Sequence, residues 1–280
     1  MEYKMVCIDM DGTLLSSRKK ISEENKNAIK KVHDKGVEIV VTTGRIYNNA
    51  EYYSNLLGVK SPVIAANGAI VKSKIDSKIL YENPIKIEEC IKLIDLLYEM
   101  KLLFHFYTTD GIFCNNGLTK FATKVYMTKQ VGHESLKINY HVIKSKEKWR
   151  KFFEENNNKI TKCIIFSISP DTIVKCKEKL KALDGIVYFG AGKRSIEINN
   201  RGVSKGNAVR SLAQKYGIKR EEIICIGDNE NDLSMIEYAG VGIAMGNAID
   251  SVKEIADYIT SSNDDNGVAK ALEKFFELKQ

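Results

Sequence analysis

Two aspartates, Asp9 and Asp11, stand two positions apart directly after an apolar run, and Gly12 follows them. On an extended segment, residues at i and i+2 point the same way. Two close carboxylates repel unless a cation or a proton lies between them. A hard divalent cation meets that need, and Mg2+ is typically held by a few carboxylates together with substrate phosphate. Gly12 permits a sharp turn just beyond the pair. Alone, such a pair reads equally well as two solvated turn aspartates. A second acidic cluster, Gly227-Asp228-Asn229-Glu230-Asn231-Asp232, follows another apolar run. Asp228 could complete the protein ligands of the cation. Asn231 and Asp232 lie about one helical turn further on and could face the same point. Alone, this cluster reads as an ordinary acidic helix N-terminus.

Two further stretches suit an anion. Thr42-Thr43-Gly44-Arg45 also follows an apolar run. A hydroxyl, a backbone N–H beside glycine and a helix N-terminus together make an anion site. The plain alternative is a strand-to-helix turn. Arg45 could touch a substrate or form a structural ion pair. In Val203-Ser204-Lys205-Gly206 a lysine opens a helix. A cation is unfavourable at that end of the dipole, so Lys205 makes more sense facing an anion than as an exposed surface lysine.

The elements that must carry these residues alternate between strand and helix. Residues 4–9, 37–42 and 62–66 are short β-branched apolar runs. Residues 22–35 and 47–57 read as helices, the first capped by Ser22 and stopped by Gly36. The pattern resumes with helix 204–216, strand 223–226, helix 232–238, strand 241–245 and helices 248–256 and 267–278. Purely apolar strands separated by helices argue for a doubly wound, mostly parallel α/β sheet covered on both faces. Each chemical cluster then sits at a strand's carboxyl end, where such sheets bind ligands. The middle differs. Helix 87–100, strand 102–108, a turn at Asp110-Gly111, strand 112–114, helix 145–155, strand 163–169 and helix 171–183 suggest an inserted α+β domain. The expected division is 1–82 and 190–280 for the core and 83–189 for the insert.

Composition narrows the partners. The 280 residues carry 43 basic and 36 acidic side chains, a net charge of +7, with 44% hydrophobic and 28% charged residues. These are the proportions of a soluble globular protein. The basic excess is spread over lysine-rich helices, with no basic block interleaved with aromatics, so no nucleic-acid partner is expected. No apolar stretch would span a bilayer, and the N-terminus enters a strand at once rather than a secretory leader. The six cysteines show no CxxC spacing and sit largely in apolar runs, as small buried hydrophobes of a reduced, cytoplasmic protein. The four histidines, His33, His105, His133 and His141, share no ligand spacing. Trp149 with Phe152 and Phe153 reads as core.

In combination, DMDGTLL (9–15), TTGR (42–45), Lys205 within GVSKG, and GDNENDLSMI (227–236) resemble the motifs of the haloacid dehalogenase superfamily of phosphatases. More narrowly the chain resembles the Cof-type branch (subclass IIB), whose large α/β cap is inserted late in the core. NGA (67–69) and the run through 197–206 fit that branch as well. The resemblance implies Asp9 as nucleophile and metal ligand. It implies Asp11 as general acid and base, with its main-chain carbonyl on the metal. It implies Asp228 as the remaining Mg2+ ligand, and Met10, Thr43, Gly44, Lys205 and Asn231 as the residues that would hold phosphate, with Asp232 and Arg45 behind them. Asp9 would attack phosphorus in line, and Asp11 would protonate the leaving alkoxide and then deprotonate water. For the first of these, neighbouring carboxylates are expected to raise the Asp11 pKa. The cap is expected to close over the site. The implied activity is Mg2+-dependent hydrolysis of a small phosphorylated metabolite, a sugar phosphate or phosphorylated cofactor, with no membrane partner.

Three other readings compete. A phosphotransferase or mutase of the same superfamily would share all these residues. A non-catalytic phosphate-binding regulator is disfavoured by the intact Asp9, Asp11, Thr43, Lys205 and Asp228. A response-regulator receiver takes its acidic pair and its phosphorylated aspartate from different strands and lacks a large insert.

Overall fold

The structure is a computed structural model that describes residues 2–109, 111–131, 138–190 and 193–278. Contacts divide it into two units, residues 1–82 with 204–280, and residues 83–203. The chain starts in the first unit with β1 (Met5–Asp9), α1 (Glu23–His33), β2 (Glu38–Thr42), α2 (Tyr47–Leu56), β3 (Val63–Ala65), β4 (Ile70–Lys72) and β5 (Ile79–Glu82). The MVCID of β1 is buried at every position. This is why it shows no alternation: a parallel strand covered on both faces can be apolar throughout. Ser22 caps α1 by accepting the Asn25 N–H at 3.2 Å, and Glu23 and Glu24 fill its first turn.

The second unit follows: α3 (Ile87–Glu99), β6 (Leu103–Tyr107), β7 (Gly111–Cys114), α4 (Gly117–Val131), β8 (Asn139–Val142), α5 (Lys146–Glu155), β9 (Lys162–Phe166), α6 (Pro170–Leu180), β10 (Ile186–Gly190) and β11 (Ser195–Asn200). They form a six-stranded sheet in the order β10-β11-β9-β6-β7-β8, antiparallel except for β7 beside β8. Trp149, fully buried, packs among Phe104, Phe106, Phe152 and Phe153, so the aromatic cluster is core. Residues 190–203, expected in the first unit, lie in the second. Their strand β11 pairs with both β9 and β10, and Ile196 and Ile198 bury into the aromatic core. The motif-like run through 197–206 hid this boundary, because it is cap strand up to Asn200 and core helix from Lys205.

Back in the first unit come α7 (Lys205–Tyr216), β12 (Ile223–Gly227), α8 (Leu233–Tyr238), β13 (Val241–Ala244), α9 (Asp250–Ile255), β14 (Tyr258–Ile259) and α10 (Gly267–Phe276). The first unit's sheet has the order β14-β13-β12-β1-β2-β3-β4-β5. It is parallel from β14 to β3 and closes with the antiparallel strands β4 and β5. Ser204 caps α7, and Gly217 ends it at φ 65°. All six cysteines are buried and unpaired by disulfides. Among the described residues, no helix is long and apolar enough to cross a membrane.

Candidate active site

Four adjacent parallel strands end at one place. β1 and β2 run in register with Asp9 opposite Thr42, β3 continues from Thr42 opposite Ile64, and β12 ends at Gly227 on the other side of β1. Asp9 is therefore delivered beside the 42–45 segment and the 227–232 segment. The N-terminus of α7 adds Lys205.

Lys205 is fully buried, and its Nζ donates to Asp9 Oδ1 at 2.5 Å and to Asp232 Oδ1 at 2.5 Å. Asp232 Oδ2 accepts the backbone N–H groups of Asp228 and Asn229, each at 2.9 Å. Its carboxylate thus ties the lysine to the turn that carries Asp228. Thr13, also buried, donates its hydroxyl to Asp228 Oδ1 at 2.7 Å. Gly12, at φ 87°, lets the chain turn where a Cβ would collide with the Asp228 carboxylate. Asn247 Nδ2 donates to the Gly12 carbonyl at 2.8 Å and holds that turn from outside.

Burial raises the Asp9 pKa well above the usual carboxylate range. The Asp232 charge adds to the rise and the Lys205 charge opposes it. Asp228 is pushed up to about 6, by burial and then by the charge of Asp232, against the Thr13 hydrogen bond. Burial also works against the Lys205 charge, but Asp232 and then Asp9 outweigh it and keep the ammonium protonated. Asp9, Asp228 and Asp232 bring carboxylate oxygens within 4.8 Å of one another. Ionised, these three leave two negative charges uncompensated by Lys205. A hard divalent cation fits that donor set and that charge.

Asp11 departs from expectation. Its carboxylate does not sit among other carboxylates. Arg45 grips it with two parallel bonds, Nε to Oδ2 and Nη2 to Oδ1, each 2.6 Å, and Lys19 Nζ donates to Oδ1 at 2.7 Å. Burial pushes its pKa up, but the two cations pull harder and hold it at about 2, the reverse of the rise expected from neighbouring acids. Arg45 is thus an ion-pair partner. It is buried, bonded through Nη1 to Asn49 Oδ1 at 2.8 Å, and lies 5.3 Å over the Tyr53 ring. Thr43 is buried and its Oγ1 accepts the Arg45 N–H at 3.2 Å. Gly44 lies between them. Met10 is buried and its carbonyl accepts the Leu15 N–H at 2.8 Å. Asn231 donates from Nδ2 to Asn67 Oδ1 at 3.1 Å. Asn67 itself is left-handed at φ 62° and fully buried.

Sequence reasoning missed Thr13, Lys19 and Asn247. Thr13 lay inside the DMDGT motif. Lys19 and Asn247 carried no signal, because only the folded turns bring them in. The histidines stay apart: His33 Nδ1 lies 3.1 Å from Val37 O, His105 is buried in β6, and His141 stacks on Phe113. His133, and Asp110 of the expected 110–111 turn, fall outside the described residues.

The sequence profile of haloacid dehalogenase-like hydrolases matches residues 6–272. The chain is 36% identical to "Putative phosphatase YxeH" of Bacillus subtilis (strain 168), over 99% of this chain and 100% of that protein. It is 34% identical to 5-amino-6-(5-phospho-D-ribitylamino)uracil phosphatase YwtE of the same organism, over 95% of this chain and 96% of that one. The solved structure of the subclass IIB sugar phosphatase BT4131 superimposes with a TM-score of 0.79 at 25% identity, covering 98% of this chain and 100% of that one. With the profile spanning nearly the whole chain, this protein belongs to the haloacid dehalogenase-like hydrolase family, as one of its phosphatases.

Proposed function

We propose that the protein is a Mg2+-dependent phosphatase that hydrolyses small phosphorylated metabolites, sugar phosphates or phosphorylated cofactor precursors, through an aspartyl-phosphate on Asp9. The observation that carries this reading is the buried Asp9 carboxylate, 2.5 Å from Lys205 and clustered with Asp228 and Asp232 at the carboxyl ends of parallel strands. A divalent cation held by Asp9, Asp228 and the Asp11 carbonyl would offset the repulsion between carboxylate and phosphate. An Asp9 oxygen forms the bond to phosphorus as the leaving alkoxide departs. Lys205, fixed by Asp232, faces the charge on the transferring oxygens. Met10, Thr43, Gly44 and Asn231 complete the phosphate cradle. Asp11 gives a proton to the alkoxide and later takes one from the water that hydrolyses the acyl-phosphate. Ionised Asp11 beside Arg45 and Lys19 is the form suited to the second of these steps.

The second unit, 83–203, serves in this reading as the substrate-selecting cap. A relative that acts on a phosphorylated ribitylamino compound and a sugar phosphatase of like fold both support a polyol or sugar leaving group. Six buried, unpaired cysteines suit work in the reducing cytoplasm.

Phosphate release from p-nitrophenyl phosphate, measured with Mg2+, with EDTA and with the Asp9→Asn protein, tests the reading. Turnover should vanish in both the chelated and the substituted enzyme. Release by Asp9→Asn at the wild-type rate would remove Asp9 from its role. In a panel of phosphometabolites, an isomerised product without free phosphate would reassign the enzyme as a phosphotransferase.

A further inference from the structure

The chain passes between its two units twice, after Glu82 and before Ser204. Both crossings are short. Glu82 still pairs with Ile70 in the first unit's sheet, and Ile85 N–H already donates to Ile160 O at 2.7 Å in the second. Only Asn83 and Pro84 lie between. Pro84 locks its own φ and confines Asn83 to extended backbone, so this crossing is stiff. On the return, Arg201 is still fastened to the second unit, by its N–H to Gly185 O at 2.9 Å and its Nη1 to Asp184 O at 3.3 Å. Ser204 is already seated in the first, where its carbonyl lies so close over Gly68 that a Cβ there would collide with it. Only Gly202 and Val203 lie between. They end a turn closed by Val203 N–H to Asn200 O at 3.1 Å, with Gly202 left-handed at φ 81°. Glycine has the freest backbone, so this crossing is where the chain can bend.

One side chain ties the two crossings together. Asn83 Oδ1 accepts from Asn200 Nδ2 at 2.6 Å, and Asn83 Nδ2 donates to Arg201 O at 3.3 Å. Asn200 is buried, and its Oδ1 meets no donor among the described residues, so the bond to Asn83 is what fixes its side chain. We propose that Asn83 is the clasp of a hinge: its amide binds the stiff crossing to the bending one, so that the second unit moves about a single joint at Gly202. Without the clasp the two crossings bend independently, and the arrangement that turns substrate over becomes one among more. The turn leads directly into Ser204, the cap of α7, and so into Lys205. The joint follows from the chain alone, while its bearing on turnover rests on the phosphatase reading above.

Spin labels test the joint without any substrate. Lys30→Cys on α1 and Lys175→Cys on α6 use exposed positions in different units, and the six native cysteines are buried. Pulsed dipolar spectroscopy on the labelled full chain gives the distribution of distances between the two labels. Asn83→Ala should broaden it, and so should Asn83→Asp, which loses the donor to Arg201. Glu82→Ala, beside the clasp but outside it, should not. With one or two hydrogen bonds lost, the productive arrangement should fall in population about two- to tenfold. KM for p-nitrophenyl phosphate with Mg2+ should therefore rise in Asn83→Ala by about that factor, with kcat changed less than about twofold. A distribution as narrow in Asn83→Ala as in the wild type overturns the proposal. So does a fall confined to kcat, which would mean that the substitution displaces Lys205 and not the joint. Should the wild type release no phosphate, the phosphatase reading fails, while the label distances still decide the joint on their own.

Discussion

At the scale of the residue, the site turns on one lysine. Lys205 has no exposed surface and lies between Asp9 and Asp232. Taking an ammonium out of water costs several kcal/mol, which two carboxylates at bonding distance offset. Removing the cation alone leaves both acids buried and unpaired. Lys205→Ala should therefore lose about 3–5 kcal/mol of stability and roughly 10²–10³-fold in kcat. Adding Asp232→Asn should recover part of the stability and none of the turnover, because one uncompensated charge goes while the phosphate still lacks its cation. Urea midpoints beside phosphate-release rates check this. A single variant as stable as wild type would mean the ion pairs are not made in solution. Asp9, Lys205, Asp228 and Asp232 were legible because each follows an apolar run or opens a helix, so residue type and strand end agreed. The clamp on Asp11 was not. Arg45 lies 34 positions away and arrives only through the β1–β2 register, and nothing in Arg18-Lys19-Lys20 marks the middle residue.

At the scale of the element, the question is what places Lys205 so accurately. Gly206, the next residue, donates its N–H to Ser234 Oγ at 3.1 Å, and a Cβ there would collide with the Ser234 carbonyl. The first turn of α7 can therefore lie directly on α8, and the lysine is held at that depth. Gly206→Ala should push α7 outward, cost about 1–3 kcal/mol by overpacking, and depress turnover because Lys205 moves with the helix. Gly217→Ala is the contrast. An added methyl there meets nothing within 4 Å and suffers only from the left-handed φ of 65°, a cost of about 1–2 kcal/mol. Its turnover should stay near wild type. Equal kinetic loss in both would show that α7 responds to stability and not to the contact with Ser234. The same logic explains which elements could be read in advance. The first unit's parallel strands are buried on both faces and announce themselves as apolar runs. β5 and β8 are half-exposed and short, and α4 carries its apolar side chains partly toward solvent, so none of the three gave a clean period. β11 was masked by its continuity with the helix-opening motif.

At the scale of the molecule, two contact units imply two cores that need not melt together, since several cores break all-or-none unfolding. Trp149, the only tryptophan, lies wholly inside the second unit's aromatic cluster and so reports on that unit. His105 lies in the same unit, stacked on Tyr107 at 5.0 Å and within 3.0 Å of Thr123 Oγ1 through Nδ1. Burial, and then the Lys162 charge, lower its pKa from 6.5 to about 3. The folded state therefore keeps the imidazole neutral where the unfolded chain would take up a proton. A group with a depressed folded pKa of this kind contributes fully above its unfolded pKa, and the contribution is lost as pH falls from 6.5 toward about 3. One proton gives a slope of at most about 1.4 kcal/mol per pH unit. Urea unfolding followed by Trp149 emission should accordingly shift to lower midpoints between pH 7 and pH 5, and His105→Phe, which keeps a ring between Tyr107 and Phe166, should flatten that shift. Asp9 and Asp228, raised by burial, bind protons in the folded state and work in the opposite sense, but in the first unit. Far-ultraviolet circular dichroism, which sees both units, should therefore show a weaker acid dependence than the tryptophan. An identical pH slope in wild type and His105→Phe would mean that the imidazole is already charged, or already wet, inside the folded cap.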